Sequence, residues 1–487
     1  MPTDTTKAVV INPPGQLLSV DICVIGAGAG GLAVATAAAA FGQRVVLIEK
    51  HKMGGQSLSY GCIPSKALVV AGKRAQAMRT SAKFGIAAVE PQIDARGVHD
   101  HVKCVISAIA PNTSVERFTG MGIRVITAAG KFVDKSTVVA GDYRVTARRF
   151  VIATGSSPAV PLIPGLADLP YFTNETIFEN SARLAHLIIV GGEPSGLELA
   201  QAYRRLGSEV TVLDGGKALS SYDSELTGFV LARLRNEGVV IREGVAVQGV
   251  SGAGGSVAVT VKHDDKLEVI AGSHVLVATG RKPNVADLGL DAAGIAYEKT
   301  GITVNAGLHT TNKRVFAIGD VIGGSQFAHV ANDHAGIVLR RALFRMPAKA
   351  TRRVIAKVTF TDPEIAHVGL SETQARAKYR KVNVLRWPYH ENDRAQVERE
   401  TVGNIKVVVS PRGHIIGATI VGAQAAELIQ MWSLALSQGL KIKAMTEWIS
   451  PYPTLSEINK RAAFRYYATA AGNPVVRKVI AWLAKLG

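Results

Sequence analysis

Residues 21–31 read DICVIGAGAGG, and this stretch decides the fold. The apolar run 22–25 has the pattern of a buried parallel strand. It meets Gly26, Gly28 and Gly31 in the spacing G-x-G-x-x-G, and the alanine-rich residues 32–41 that follow have helix-forming composition. A second strand, 44–48, ends at Glu49. In such a unit glycines close the turn and admit a pyrophosphate, the helix N-terminus faces it, and the acid takes a ribose hydroxyl. A glycine-rich turn alone is common. Strand, turn, helix, strand and acid together make a complete dinucleotide-binding unit.

Further along, the pattern recurs. Residues 187–190 form a strand, Gly191 to Gly196 the turn, 197–206 a helix and 209–213 the next strand, which ends at Asp214. The same interval of 23 residues separates Gly26 from Glu49 and Gly191 from Asp214, and two such folds imply two dinucleotides. Two other segments echo each other: 151–155, ending in Thr154-Gly155, and 275–280, ending in Thr279-Gly280. Each reads as a strand closed by a glycine turn where the chain crosses between domains. Residues 315–320, VFAIGD, put Gly319 and Asp320 at a strand's C-terminal end, where ligands of open α/β sheets bind. Beyond about residue 352 the texture changes. Segments 354–360, 382–387 and 405–409 are β-rich, with helical patterns at 371–378 and 425–438, as in an α+β domain. The expected fold class is α/β: two Rossmann-like dinucleotide-binding domains plus a C-terminal α+β domain.

The bulk properties agree. A chain of 487 residues is too long for one core and predicts two to four domains. Hydrophobic residues at 47% and charged residues at 19% suit a globular enzyme. Residues 1–20 lack a basic segment followed by an apolar core, so no secretory signal is expected, and the apolar run 32–41 is too short to span a bilayer. The chain has three cysteines, Cys23, Cys62 and Cys104, which argues against a disulfide-stapled secreted protein and for a reducing cytoplasm. The net charge of +18 raises nucleic acid or an anionic membrane surface as a partner. The basic residues are scattered, as in Arg148-Arg149, Arg340-Arg341 and Arg352-Arg353, without a nucleic-acid-binding motif. A solvated basic surface is the favoured reading, and no nucleic-acid partner is expected.

Residues 54–66, from Gly54-Gly55 through Ser57 and Cys62 to Pro64-Ser65-Lys66, are the most specific segment. Pro453 to Glu457 read PTLSE, and Ala328-His329 precede a helical pattern. Taken in order, these motifs resemble the flavoprotein disulfide reductases, the family of dihydrolipoamide dehydrogenase, glutathione reductase and mercuric reductase. The resemblance runs from about residue 21 to 465. It implies FAD in the first unit, a nicotinamide cofactor in the second, and a C-terminal domain that makes a homodimer, each active site completed by the partner subunit. The implied domains are 1–157 with 281–351 for FAD, 158–280 for NAD and 352–470 for dimerisation, followed by a tail, 471–487. The implied FAD contacts are Gly26, Gly28, Gly31, Glu49, Gly54, Gly55, Ser57, Lys66, Gly130, Thr154, Gly155, Gly319, Asp320 and Ala328. Gly191, Gly196, Asp214 and Gly280 would hold NAD(H), with NADP disfavoured by the carboxylate of Asp214. The implied catalytic set is Cys62, Lys66, Glu198, Tyr452 and Glu457, with Lys66 paired to Glu198 beside the flavin. No metal site is expected.

Three departures from the family fall at chemistry. Ser57 stands where the family has its substrate-facing cysteine, so Cys62 has no sulfur there to pair with. Cys23, in a strand, and Cys104, in a helical stretch, both read as structural thiols. Tyr452 replaces the family's histidine before Pro453; a tyrosine, which titrates near pH ~10, is a poor general base. This tyrosine is reminiscent of mercuric reductases, but the C-terminal cysteine pair of that branch has no counterpart after Cys104. Glu193 occupies the second glycine of the nicotinamide motif. A carboxylate ~4.5 Å from a phosphate repels it by roughly 3–4 kcal/mol at an effective dielectric of ~20. Either Glu193 points to solvent and NAD binds weakly, or the site is decayed or gated.

Three readings of function follow. The first is an FAD-dependent oxidoreductase that takes hydride from NADH and passes electrons to a small-molecule, non-disulfide acceptor or to a single thiol. The second is a dihydrolipoamide dehydrogenase-type or mercuric reductase-like enzyme with substituted catalytic residues. The third is a flavin-binding pseudoenzyme acting as a regulatory dimer. Cys62 would sit just before a helix expected from about Pro64, whose N-terminus together with Lys66 favours a thiolate. In the tail, Val475, Val476, Val479, Ile480, Leu483 and Leu486 recur at helical spacing, with Trp482, Arg477, Lys478 and Lys485 nearby. That pattern serves peripheral membrane contact or packing on the protein's own surface equally well.

Overall fold

A strand covered on both faces needs an unbroken apolar run. Val45–Glu49 and His186–Val190 are such runs, and their central residues are fully buried. The computed structural model describes residues 15–350, 354–471 and 474–486. The polar segment before residue 15 and the Arg352-Arg353 pair lie outside the described residues. The described residues cluster into two units. One holds residues 15–63, 103–158 and 281–350; the other holds 64–102, 159–280 and those beyond 350.

In the first unit, among the described residues, a seven-stranded sheet runs Arg124–Thr127, Val45–Glu49, Gln16–Ile25, Tyr143–Ile152, Thr137–Ala140, Gly130–Phe132. Val315–Ala317 also pairs with Tyr143–Ile152, in parallel. The pairings of Gln16–Ile25 with Val45–Glu49 and with Tyr143–Ile152 are parallel too. The chain leaves Gln16–Ile25 to one side and later returns on the other, so its direction of winding reverses at Gly26 and Ala153, where such sheets bind ligands. The first strand is longer than the run 22–25, because the residues from Gln16 to Val20 also pair with Tyr143–Ile152. The strand expected over 315–320 is shorter: Gly319, at φ +70°, turns the chain out of the sheet. Ser156–Pro158 pairs antiparallel with Arg281–Pro283, so the chain leaves this unit and re-enters it across one short ladder.

The second unit carries a four-stranded parallel sheet, ordered Val239–Arg242, Glu209–Leu213, His186–Val190, His274–Val277. Ala246–Ala253, Ser256–His263 and Lys266–Gly272 form an antiparallel sheet beyond it in sequence. A five-stranded antiparallel sheet follows, ordered Lys357–Thr359, Glu364–Gly369, Ile415–Gly422, Asn404–Val409, Asn383–Pro388. Its central strand Ile415–Gly422 is buried along its whole length. The helices Ala425–Ser437 and Glu457–Ala471 pack on this sheet. Trp432 is fully buried there, and its indole N–H donates to Asn459 Oδ1 at 2.7 Å, which meets the need of a buried polar group for a partner. The fold is α/β, with two Rossmann-like units and a C-terminal α+β region.

Candidate functional site

The first turn is built by close approach. Gly26 has φ +106°, and a Cβ there would lie 2.3 Å from Ala153 O. A Cβ on Gly31 would lie 1.8 Å from Gly26 O, so the helix Ala29–Ala40 sits on the turn only because Gly31 lacks one. Gly28 differs: its φ is −81°, open to any residue, and nothing lies within 4 Å of its missing side chain. Gly28 is the N-cap of Ala29–Ala40 and provides no side-chain cap, nor does the first turn carry an acid. The helix amides therefore face open space, as an anion requires. Glu49 accepts hydrogen bonds from Ala27 N at 2.7 Å and His51 N at 2.8 Å, which fixes its carboxylate beside the turn. These residues fit the adenosine diphosphate part of a dinucleotide.

Around this turn, the first unit assembles the other expected contacts. Gly55, at φ +61°, would place a Cβ 2.7 Å from Gly28 Cα, so the Gly54-Gly55 pair folds against the turn. Gly130 lies against Ile25 and Ile48 at the ends of their strands. Thr154 Oγ1 donates to Asn284 O, and Asn284 Nδ2 donates back to Thr154 O, each at 2.9 Å. Gly155, at φ +68°, faces open space. Asp320 accepts from Ser156 Oγ at 2.6 Å, and Arg281 Nε donates to the same Oγ at 2.8 Å. Gly319 N donates to His334 Nδ1 at 3.2 Å, and Ala328 opens the helix Ala328–Ala342. Ser156, Arg281 and Asn284 were not singled out from the sequence.

The second turn repeats the first. Gly191 has φ +116°, with Ala278 O 2.4 Å from its missing Cβ, and a Cβ on Gly196 would lie 2.0 Å from Gly191 O. Asp214 accepts from Gly192 N and Gly216 N, both at 2.7 Å. Gly280, at φ +110°, faces open space. Glu193 is the N-cap of Pro194–Arg205 and does not cap it with its side chain. Its carboxylate is engaged rather than free in solvent, which was one of the alternatives left open for it. Glu193 is half-buried, and Ser220 donates to its Oε1 from the backbone N at 3.1 Å and from Oγ at 2.7 Å. Burial pulls the Lys357 pKa down, while the Glu193 charge opposes that shift. The carboxylate is thus folded onto the Ser220 loop, beside a cation.

Ser57 lies in the short helix Gly55–Ser59. The helix expected from Pro64 starts two residues earlier: Cys62, an exposed thiol, is the first residue of Cys62–Arg79. Cys23 is fully buried in the sheet, and burial pushes its pKa up. Cys104 is exposed on the helix Ala95–Ile109 rather than buried as a structural thiol would be.

One turn beyond Cys62, Lys66 Nζ donates to Glu198 Oε2 at 2.7 Å. Glu198 is 4% exposed, and its other oxygen accepts from Phe360 N at 2.7 Å. Glu198 is thus fixed at both oxygens, while the Lys66 side chain stays one-third exposed at 33%. Tyr452 is exposed, and its hydroxyl donates to Asp393 Oδ2 at 2.9 Å rather than to Glu457, which opens the helix Glu457–Ala471. That hydrogen bond to a carboxylate, with the charge of Asp393 beside it, raises the Tyr452 pKa. Asp393 lies 59 residues from Tyr452 in sequence, and no motif marked it.

Two dinucleotide turns, a thiol opening a helix and a half-buried lysine–glutamate pair define a pyridine-nucleotide-linked redox protein. Residues 20–335 match the pyridine nucleotide-disulphide oxidoreductases, and residues 355–463 match that family's dimerisation domain. The chain belongs to this family, whose members are oxidoreductases that bind FAD and use NAD(P)H. It is 34% identical to a mercuric reductase of Lysinibacillus sphaericus over 92% of this chain and 82% of that one. It is 33% identical to a dihydrolipoyl dehydrogenase of Geobacillus stearothermophilus, over 94% and 97%. Among solved structures it resembles the HOCl-induced flavoprotein disulfide reductase RclA of Escherichia coli, as its Cu(II) complex. That match has 27% identity, a TM-score of 0.82, and covers 91% of this chain and 99% of that one. LpdA of Mycobacterium tuberculosis matches at 26% identity and a TM-score of 0.84, over 92% and 99%.

Proposed function

We propose that this chain is an FAD-dependent oxidoreductase that takes hydride from NADH and delivers electrons to a small non-disulfide acceptor, such as a quinone or dioxygen, or through Cys62 as a single thiol. The observation that carries this reading is that Cys62 is exposed and Cys23 buried, with Ser57, which we read as replacing the family's first cysteine, five residues before Cys62. Bound FAD would supply the hydride-accepting chemistry. Gly26, Gly28, Gly31, Glu49, Gly54, Gly55, Gly130, Thr154, Gly155, Gly319, Asp320 and Ala328 would hold it. Lys66, hydrogen-bonded to Glu198, would serve as a catalytic residue. Gly191, Gly196, Asp214 and Gly280 would bind NADH, and Asp214, which offers acceptors to a ribose hydroxyl, would disfavour the phosphate of NADPH. Tyr452, tied to Asp393, is a hydrogen-bond donor and not a base, so thiol–disulfide proton transfer has no agent in it. The dimerisation domain supports a homodimer. We place the protein in the cytoplasm with peripheral membrane contact through its tail. Among the described residues no helix is long and apolar enough to cross a membrane.

Rapid mixing of the flavin-loaded protein with NADH tests this reading, with acceptors compared in steady state. Fast bleaching, turnover with a quinone and negligible turnover with lipoamide or glutathione disulfide are expected. Cys62→Ser spares quinone turnover if the flavin alone is the donor. Substantial lipoamide turnover would transfer the assignment to a dihydrolipoamide dehydrogenase-type enzyme. Glu193 in the nicotinamide turn favours a second reading, a flavin-binding regulatory dimer, which an absence of bleaching would support.

A further inference from the structure

The helix Pro474–Leu483 buries none of its side chains. Val475, Val479, Ile480, Trp482, Leu483 and Leu486 are each about half to two-thirds exposed, from 49% to 67%. At 3.6 residues per turn these six and the partly buried Val476 fall on one arc of roughly 160°, and Arg477, Lys478 and Lys485 lie on the remaining side. Packing on the protein's own surface, one of the two roles open to the tail, would have buried that arc. It is not buried.

Charge identifies what covers it. After Glu457 the sequence contains no Asp or Glu, while Lys460, Arg461, Arg465, Arg477, Lys478 and Lys485 are all cationic. A second copy would bring the same cations to the seam, against its own apolar attraction. An anionic bilayer satisfies both faces at once: the apolar arc enters the acyl boundary, the cations meet headgroups, and the amphipathic ring of Trp482 sits at the interface. The ten-residue helix is too short to span and would lie in the membrane plane. We propose that Pro474–Leu483 docks this protein on an anionic lipid surface. The inference deepens the peripheral-membrane reading and stands apart from the catalytic one.

The test uses the full flavin-loaded chain and sedimentation with vesicles of phosphatidylcholine alone or with about 30% phosphatidylglycerol. Binding to the anionic vesicles, its loss in high salt, and no binding to phosphatidylcholine alone are expected. The double variant Ile480→Glu, Leu483→Glu should lower the bound fraction by about tenfold or more with flavin content and NADH bleaching unchanged. Quenching of tryptophan emission by brominated lipid should be present in the parent and lost in Trp482→Phe. Equal sedimentation of parent and double variant, or equal binding to both vesicles, overturns the proposal. So does a larger assembly of the parent than of the variant in solution, which would assign the face to a second copy. If NADH fails to bleach the flavin while vesicle binding persists, only the catalytic reading falls.

Discussion

The turns at Gly26 and Gly191 have nearly the same backbone and differ in one side chain. In each, the first glycine's N–H donates to the neighbouring strand at 2.8 Å, to Ile48 O in one and Leu213 O in the other. In each, an acid accepts from the residue after that glycine at 2.7 Å. The third residue of the turn is Gly28 at φ −81°, ψ −173° in one and Glu193 at φ −82°, ψ 174° in the other. The comparison separates the roles of the three motif glycines. The first and third are required by the fold, since a Cβ on either would run into backbone oxygen. The second is required by whatever occupies the turn, because its backbone conformation suits any residue. A substitution there leaves the fold intact and changes only the space offered to a ligand.

The largest effect should come from breaking a fold-required position. Gly31→Ala pushes a Cβ into Gly26 O and should cost about 3 kcal/mol or more, and Gly196→Ala about as much. Urea unfolding measures both, and a wild-type midpoint for either would refute the close-approach argument. Next comes Gly28→Glu, which copies the second turn into the first. The apoprotein should lose less than about 1 kcal/mol of stability, while flavin affinity falls by roughly a hundredfold through repulsion of the pyrophosphate. If the apoprotein is destabilised as much as by Gly31→Ala, the two glycines do not differ in kind. The reverse exchange should have the smallest effect. Glu193→Gly should lower the KM for NADH by about tenfold, less than full repulsion would give, because Ser220 already holds the carboxylate aside. NADH should remain preferred over NADPH in that variant, since Asp214 is untouched; an unchanged KM would mean that Glu193 does not intrude on the nucleotide.

The elements around both turns were legible because their signal is local. Strand Glu209–Leu213 was read to the residue, and the helix Ala425–Ser437 to within one position. The helices Ala29–Ala40 and Pro194–Arg205 begin three residues earlier than their apolar patterns, because glycine and proline in the first turn hide a helix start from propensity. The strands Glu364–Gly369 and Ile415–Gly422 were not recognised. They sit side by side in the sheet, with 45 residues between them in sequence, and neighbouring turn signals do not reveal such pairing. The site divides the same way. Motif residues such as Lys66 and Glu198 were named in advance and meet at 2.7 Å. Ser220, Lys357 and Asp393 are not marked, because their hydrogen bond or charge interaction with Glu193 or Tyr452 arises only once distant segments fold together.

The short ladder between Ser156–Pro158 and Arg281–Pro283 has a consequence for how such a gene can be assembled. Arg281 pairs with Pro158, and just beyond them Ala159 N donates to Gly280 O at 2.9 Å. The stretch 159–280 therefore begins and ends at adjoining points, like a page clipped in at one edge. Coding sequence of that kind can be exchanged as a cassette, since its removal leaves two chain ends already side by side for a short linker to rejoin.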